Sequence, residues 1–172
     1  MTPNRTADLA VSVADLLHHA GSTKPFEAET ILDGLAVSGS AVPPGERVQV
    51  AVELQAVNDA IVVVGTVRTV WTGACRRCLK GAGGEIVAEV QEIYERDPVE
   101  GETRLLRETT IDLAEMARDA VLLELPNAPL CEDDCAGLCP TCGVDRNETA
   151  CDCAEAEPDP RWSALSDLRF ED

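Results

Sequence analysis

Eight cysteines constrain this chain more than any other feature. Cys75 and Cys78 stand in GACRRCL at 73–79, and Cys131, Cys135, Cys139, Cys142, Cys151 and Cys153 crowd into LCEDDCAGLCPTCGVDRNETACDC at 130–153. What such thiols do depends on the compartment. The segment MTPNRTADLAVSVADLLHH lacks the basic flank, continuous apolar stretch and small-residue cleavage site of a secretory leader, and no apolar run reaches spanning length. The expected location is therefore cytoplasmic, with no membrane association. Closely spaced cysteines in a reducing compartment serve as metal ligands or catalytic thiols more often than as disulfides.

Eight is twice four, and structural zinc takes four ligands at tetrahedral angles. A Cys-x-x-Cys turn delivers two thiolates to one ion because the turn brings both sulfurs to one side. CPTCG at 139–143 is such a turn, with Gly143 free to take a positive φ. Loop entropy favours pairing Cys139 and Cys142 with the nearby Cys151 and Cys153 as a self-contained knuckle. Cys75 and Cys78 are then left to join Cys131 and Cys135, so that a second ion ties a distant turn to the segment beyond Pro126. A rival partition groups Cys75, Cys78, Cys139 and Cys142 as a long zinc ribbon and leaves Cys131, Cys135, Cys151 and Cys153 for the other ion. Either arrangement implies two structural zinc ions.

Other thiol chemistries compete. Cys135, Cys139 and Cys142 have the Cys-x3-Cys-x2-Cys spacing of radical enzymes, but too little chain follows for their barrel, and an iron–sulfur cluster of another kind stays open. In CRRC, Arg76 and Arg77 could lower a thiol pKa, although the helix that follows a thioredoxin-like motif is missing. His18 and His19 read as surface residues, and GAGG at 81–84 lacks the Lys-Ser/Thr of a phosphate loop. No nucleophile–base arrangement is visible, so the expectation is a protein that is not an enzyme and has no small-molecule substrate.

The rest of the chain reads as a β-rich core. ERVQVAVEL (46–54) alternates, with Val48, Val50, Val52 and Leu54 on one face; Asn58-Asp59 supplies a turn; AIVVVGTVRTVW (60–71) is a β-branched strand with Gly65 as a candidate bulge. Flexible GAGG leads to a strand over EIVAEVQEIYE (85–95), and DPVEGETRL (97–105) is a polar loop. PFEAETILDGLAVSGSAVPPGE (25–46) holds an opening strand or two. DLAEMARDAVLLEL (112–125) is the main helix: Asp112 is placed to cap it, Glu115 to complete a capping box, and Leu113, Met116, Ala117, Ala120 and Leu123 to face the core. DPRWSALSDLRF (159–170) is a second, short helical candidate. The expected class is α+β: an antiparallel β-rich core over 1–130 with one packed helix, then a zinc-knuckle appendage and helical tail over 131–172.

Charge limits the partners. The formal net charge is −18, and residues 85–172 hold 24 acidic against 7 basic side chains. Such a surface repels phosphate backbones at long range. Arg68, Arg76, Arg77 and Lys80 run against the trend. They are the candidate RNA or partner contact, or they neutralise the acidic half of the chain itself.

The landmarks GACRRCL (73–79), IDLAEMARDAVLLELPNAPLC (111–131), CAGLCPTCGVDRNETACDC (135–153) and DPRWSAL (159–165) together resemble the YceD family, the large ribosomal RNA subunit accumulation proteins. The resemblance implies a cytosolic, non-enzymatic accessory factor in synthesis, processing or stability of 23S rRNA during large-subunit assembly. It would act on the pre-ribosomal large-subunit particle through 23S rRNA or a basic ribosomal protein. Family forms that keep the upstream cysteine pair but lack the later cluster imply that Cys139, Cys142, Cys151 and Cys153 act as a separable unit. The alternative is a zinc-stabilised protein-interaction module unrelated to ribosomes.

Overall fold

The computed structural model describes residues 9–153 and positions 161 and 168. A short strand, β1 (Ala10–Ser12), and one helical turn, α1 (Ala14–Leu17), precede β2 (Thr23–Thr30), β3 (Ser40–Ala41), β4 (Val48–Val57), β5 (Ala60–Ala74) and β6 (Gly81–Glu95). Then come β7 (Arg104–Leu105), β8 (Thr110–Asp112) and the main helix α2 (Ala114–Glu124). The large sheet runs β2-β4-β5-β6-β7, and β3 extends it by pairing with the far end of β5; β1 and β8 form a separate two-stranded pair. All pairings are antiparallel except β6 with β7. The fold is thus strand-rich with a mixed sheet, and α2 is the one helix longer than a turn among the described residues.

Alternation in β4 carries over directly. Val48, Val50, Val52, Leu54 and Ala56 are buried while every intervening residue is exposed. The two-residue loop Asn58-Asp59 joins β4 to β5, with Asn58 at φ 55°, a conformation asparagine tolerates better than most residues. Val63, Val67, Ile86, Ala88 and Val90 continue the buried face across the sheet, and Met116, Ala117 and Val121 of α2 pack with them in one core. Each large apolar side chain fully removed from water contributes about 1.5–3 kcal/mol.

Several details differ from the sequence reading. Gly65 makes no bulge: it pairs with Val52 on one side and Val90 on the other, in ladders of unbroken register. Its function is close approach, since a Cβ there would lie 2.2 Å from the Ala51 carbonyl oxygen. GAGG is not a flexible connector but the start of β6, paired with Trp71–Ala74. The Trp71 indole lies over Gly84, where a Cβ would stand 3.2 Å from its Nε1, so the ring covers backbone that the glycines leave bare. The acidic loop after β6 ends in β7.

In α2, Leu123 is 85% exposed and Val121 takes the buried place expected of it. The two-residue step from Val121 turns Leu123 about 200° around the helix, to the edge of the buried face beside Met116. Asp112 does serve the helix start, accepting a hydrogen bond from the Ala114 N–H at 2.9 Å. Glu115 forms no capping box; it lies 3.9 Å from Arg104. Pro126 ends α2 by holding Leu125 in an extended conformation (ψ 123°). The helix expected over 159–170 lies outside the described residues apart from Arg161 and Leu168.

Replacing Gly65 by valine is expected to cost about 2–3 kcal/mol or more, because backbone on β4 has to move to admit the side chain. Urea unfolding with a lowered midpoint and unchanged slope is the expected readout.

Candidate metal centres

Small residues draw the chain ends of the site together. A Cβ on Gly73 would lie 2.4 Å from the Gly39 carbonyl oxygen, and one on Gly39 would lie 2.3 Å from that of Asn127. The β5–β6 hairpin, the β3 turn and the segment leaving α2 are therefore in backbone contact. Ser40 Oγ donates to the Pro126 carbonyl at 2.8 Å, and Arg76 N–H donates to that of Pro129 at 2.9 Å. These contacts fix the α2 exit segment against the hairpin loop, and Cys131 and Cys135 arrive beside Cys75 and Cys78.

The Sγ atoms of these four cysteines all lie within 4.8 Å of one another. Cys75 and Cys135 stand 3.8 Å apart, Cys78 and Cys131 3.5 Å apart. Four sulfurs on one zinc at ~2.3 Å sit about 3.8 Å apart, so the spacing suits a single tetrahedral ion. All eight described cysteines are free thiols. Cys75, Cys78 and Cys135 are buried, and Leu130 and Leu138 pack against them. Arg77 N–H points at Cys75 Sγ over 3.4 Å.

Cys139, Cys142, Cys151 and Cys153 form a second set with the same mutual limit of 4.8 Å, more exposed than the first. The ribbon-like grouping of Cys75 and Cys78 with Cys139 and Cys142 does not form. The two Cys-x-x-Cys turns repeat one backbone pattern. Leu79 N–H donates to the Cys75 carbonyl and Cys75 N–H to that of Lys80, just as Gly143 N–H donates to the Cys139 carbonyl and Cys139 N–H to that of Val144. The fourth residue after the first cysteine has positive φ in both: 63° at Leu79 and 74° at Gly143.

The second set is docked on the first. Leu138 N–H donates to the Arg77 carbonyl at 3.0 Å, and neighbouring Gly137, at φ 73°, allows the approach: a Cβ there would lie 3.1 Å from the same oxygen. Asn147 accepts from Ala136 N–H at 2.7 Å and directs its Nδ2 at Cys135 Sγ over 3.4 Å. Lys80 Nζ pairs with Asp145 at 2.7 Å and with Glu148. Sequence reasoning missed Asn147 and Gly137, whose only signal was the turn chemistry of AGL and DRNE.

The expected cationic patch is largely spent within the molecule. Arg77 Nη1 donates to the Cys135 carbonyl at 2.9 Å, Lys80 holds the two carboxylates, and Arg68 lies 3.6 Å from Glu85. Arg76 is exposed. His18 and His19 are exposed as well.

Backbone donors polarise the thiols unequally. The Cys78 N–H first, with those of Arg77 and Cys131, brings the Cys75 thiol down to about 6 against the cost of burial. The Cys142 and Thr141 N–H groups do the same for Cys139, also to about 6. Hydrogen bonding to the thiols of Cys78 and Cys135 pushes Cys131 up to about 12, and that to Cys142, with burial, pushes Cys153 up to about 12. Each set thus combines one thiol whose pKa is lowered with two whose pKa is raised.

Comparison with known proteins places this geometry. Residues 63–169 match the sequence profile of the large ribosomal RNA subunit accumulation protein YceD. The chain belongs to the YceD family. The matched range of the YceD profile begins within β5 and contains all eight cysteines and α2. An uncharacterized protein of Mycobacterium tuberculosis is 33% identical over 142 residues, covering 74% of this chain and 65% of its own length. The large ribosomal RNA subunit accumulation protein YCED homolog 1, chloroplastic, of Arabidopsis thaliana is 28% identical over 160 residues, covering 74% of this chain and 50% of that protein. Its Zea mays namesake is 27% identical over 161 residues, covering 73% and 55%. The chain therefore spans less than two thirds of the length of these relatives. No solved structure matches it.

The twin knuckles of this YceD member make a sharp comparison. A leucine in the left-handed region costs about 1–2 kcal/mol, and glycine's extra unfolded freedom returns part of that. Leu79→Gly is expected to raise stability by about 0.5–1 kcal/mol, and Gly143→Leu to lower it by about 1 kcal/mol or more. Urea unfolding of both variants in metal-replete buffer measures the pair.

Proposed function

We propose that this protein is a zinc-stabilised, non-enzymatic accessory factor for 23S rRNA synthesis, processing or stability during assembly of the large ribosomal subunit, acting in the cytoplasm. The observation that carries the reading is the YceD profile match, which takes in both four-thiol sets. Cys75, Cys78, Cys131 and Cys135 hold one zinc ion, and Cys139, Cys142, Cys151 and Cys153 the other. Four thiolates on one divalent ion carry two negative charges, so metallation adds to the acidity of the chain and holds structure rather than attracting polyanions. Mutual sulfur distances under 4.8 Å favour one ion per set over a cluster, whose ligands are spread over separate irons. The strands and α2 lie within residues 10–124, and the segment from 131 to 153 supplies six of the eight thiols.

With a net charge of −18, the first contact on the pre-ribosomal particle is a basic ribosomal protein that needs shielding until it is placed. Contact with 23S rRNA is local and centres on Arg76 in the CRRC turn, since Arg77, Lys80 and Arg68 also contact groups of the chain itself.

Metal analysis of the purified chain is expected to give two zinc ions, one lost with Cys75→Ser and one with Cys142→Ser. Uptake at pH 7 must displace protons from Cys131 and Cys153, which titrate near 12, while Cys75 and Cys139 are already thiolates above about 6. Affinity therefore rises with pH and falls as acid reprotonates the ligands, by about tenfold or more per pH unit for each proton exchanged. Competition with a chelator between pH 6 and 8 reads this directly.

For the cellular role, sucrose gradients of a tagged strain at low salt are expected to place the protein with large-subunit precursors, and its depletion to lower 23S relative to 16S rRNA. Absence from precursor and mature large-subunit fractions, with 23S levels unchanged, overturns the reading.

A further inference from the structure

β6 has an open edge. It pairs with β5 along its length, whereas on its other side, among the described residues, only Tyr94 and Glu95 are paired, by β7. A groove of about 480 Å³ follows that edge, walled by residues 89–92 of β6 and, across from them, by Met116, Ala120 and Leu123 of α2. Consecutive strand residues point to opposite faces, so a groove lined by all four runs along the strand's edge. Val90 and Met116 give it an apolar floor, and Leu123, 85% exposed, stands at its lip with no place in the core.

The surroundings are acidic. Glu89, Glu92 and Asp119 line this groove, and Glu100, Glu102 and Glu115 line the adjoining cavity. The one cation lining either cavity, Arg104, is occupied by Glu92 at 3.2 Å and Asp119 at 2.9 Å.

We propose that an extended, lysine- or arginine-rich protein segment adds to β6 as a further strand in this groove. Its backbone pairs with residues 85–93, its apolar side chains rest on Met116 and Leu123, and its cations meet Glu89 and the acidic neighbours. A second copy of the chain is the wrong occupant, because edge-to-edge pairing would set Glu85 and Glu89 against the same side chains. The chain's own residues 154–172 also carry the wrong sign, with six acidic and two basic side chains. The class of partner rests on the basic protein proposed above; the groove supplies the place and the mode of contact.

The test is amide-resolved NMR on the full zinc-replete chain, titrated with a ten-residue peptide of alternating lysine and valine. Saturable binding is expected, with slowed exchange of those amides in 85–93 that do not bond to β5, and shifts in α2. Methylating alternate backbone nitrogens of the peptide should weaken it at least tenfold, and replacing lysine by glutamate should abolish it. The double variant Glu89→Lys, Leu123→Ser changes two exposed side chains, and with an otherwise unchanged spectrum it should also bind at least tenfold more weakly. Equal binding of the methylated peptide, or shifts scattered over the acidic surface, reduces the effect to bulk charge and overturns the proposal. Protection in the free chain of those amides in 85–93 that do not bond to β5 overturns it too, whether removal of 154–172 or dilution releases them. A failed titration with intact co-sedimentation discards the groove alone. Intact peptide binding without co-sedimentation discards the ribosomal partner alone.

Discussion

The meeting of Cys75 and Cys78 with Cys131 and Cys135 governs how the remainder of the molecule is arranged. It joins a hairpin loop to the exit of a helix more than fifty residues later, and nothing in the local sequence of either piece could hold them there. Direct backbone contacts at Gly39 and Gly73 allow it: each lies too close to a carbonyl oxygen for any other residue. The thiol site and this close backbone packing therefore stand or fall together, with Pro126 ending the helix just before the segment that returns to the hairpin.

The second thiol set is built differently. Its ligands lie within fifteen residues of each other and close on themselves, yet its loop returns to the first site through Asn147, Leu138 and the Lys80–Asp145 pair. Cations that stand on the surface thus also fasten the chain to itself: Arg77 to the Cys135 carbonyl, Lys80 to Asp145 and Glu148.

Function then shifts from the cations to the acidic remainder. An exposed strand edge is a hazard unless its side chains discourage self-association, and glutamates on β6 do so while favouring a partner of opposite charge. The same physics serves solubility and recognition.

What could be read in the sequence was whatever depends on period or short spacing. The alternation of Val48 to Leu54, the Asn58-Asp59 turn, α2 and its stop at Pro126, and the division of the cysteines by loop length were all legible, because each is decided by residues near one another in the chain. Glycines were misread: Gly65 as a bulge and GAGG as a connector, when both are strand positions whose missing side chains admit a neighbouring backbone or a tryptophan ring. Leu123 was assigned to the core from its helical spacing, which does set it beside Met116, but at that edge of α2 it stands exposed. By itself, then, the sequence determined the long strands, α2, the supply of eight thiols and the acidity. Only the tertiary structure decided what brings the two distant cysteine pairs together, that Lys80 and Arg77 are tied to groups of the chain itself, and that, among the described residues, most of β6 is paired on one side alone. Each of those depends on backbone approach between segments far apart in sequence, and the identity of a glycine permits such approach without naming its partner.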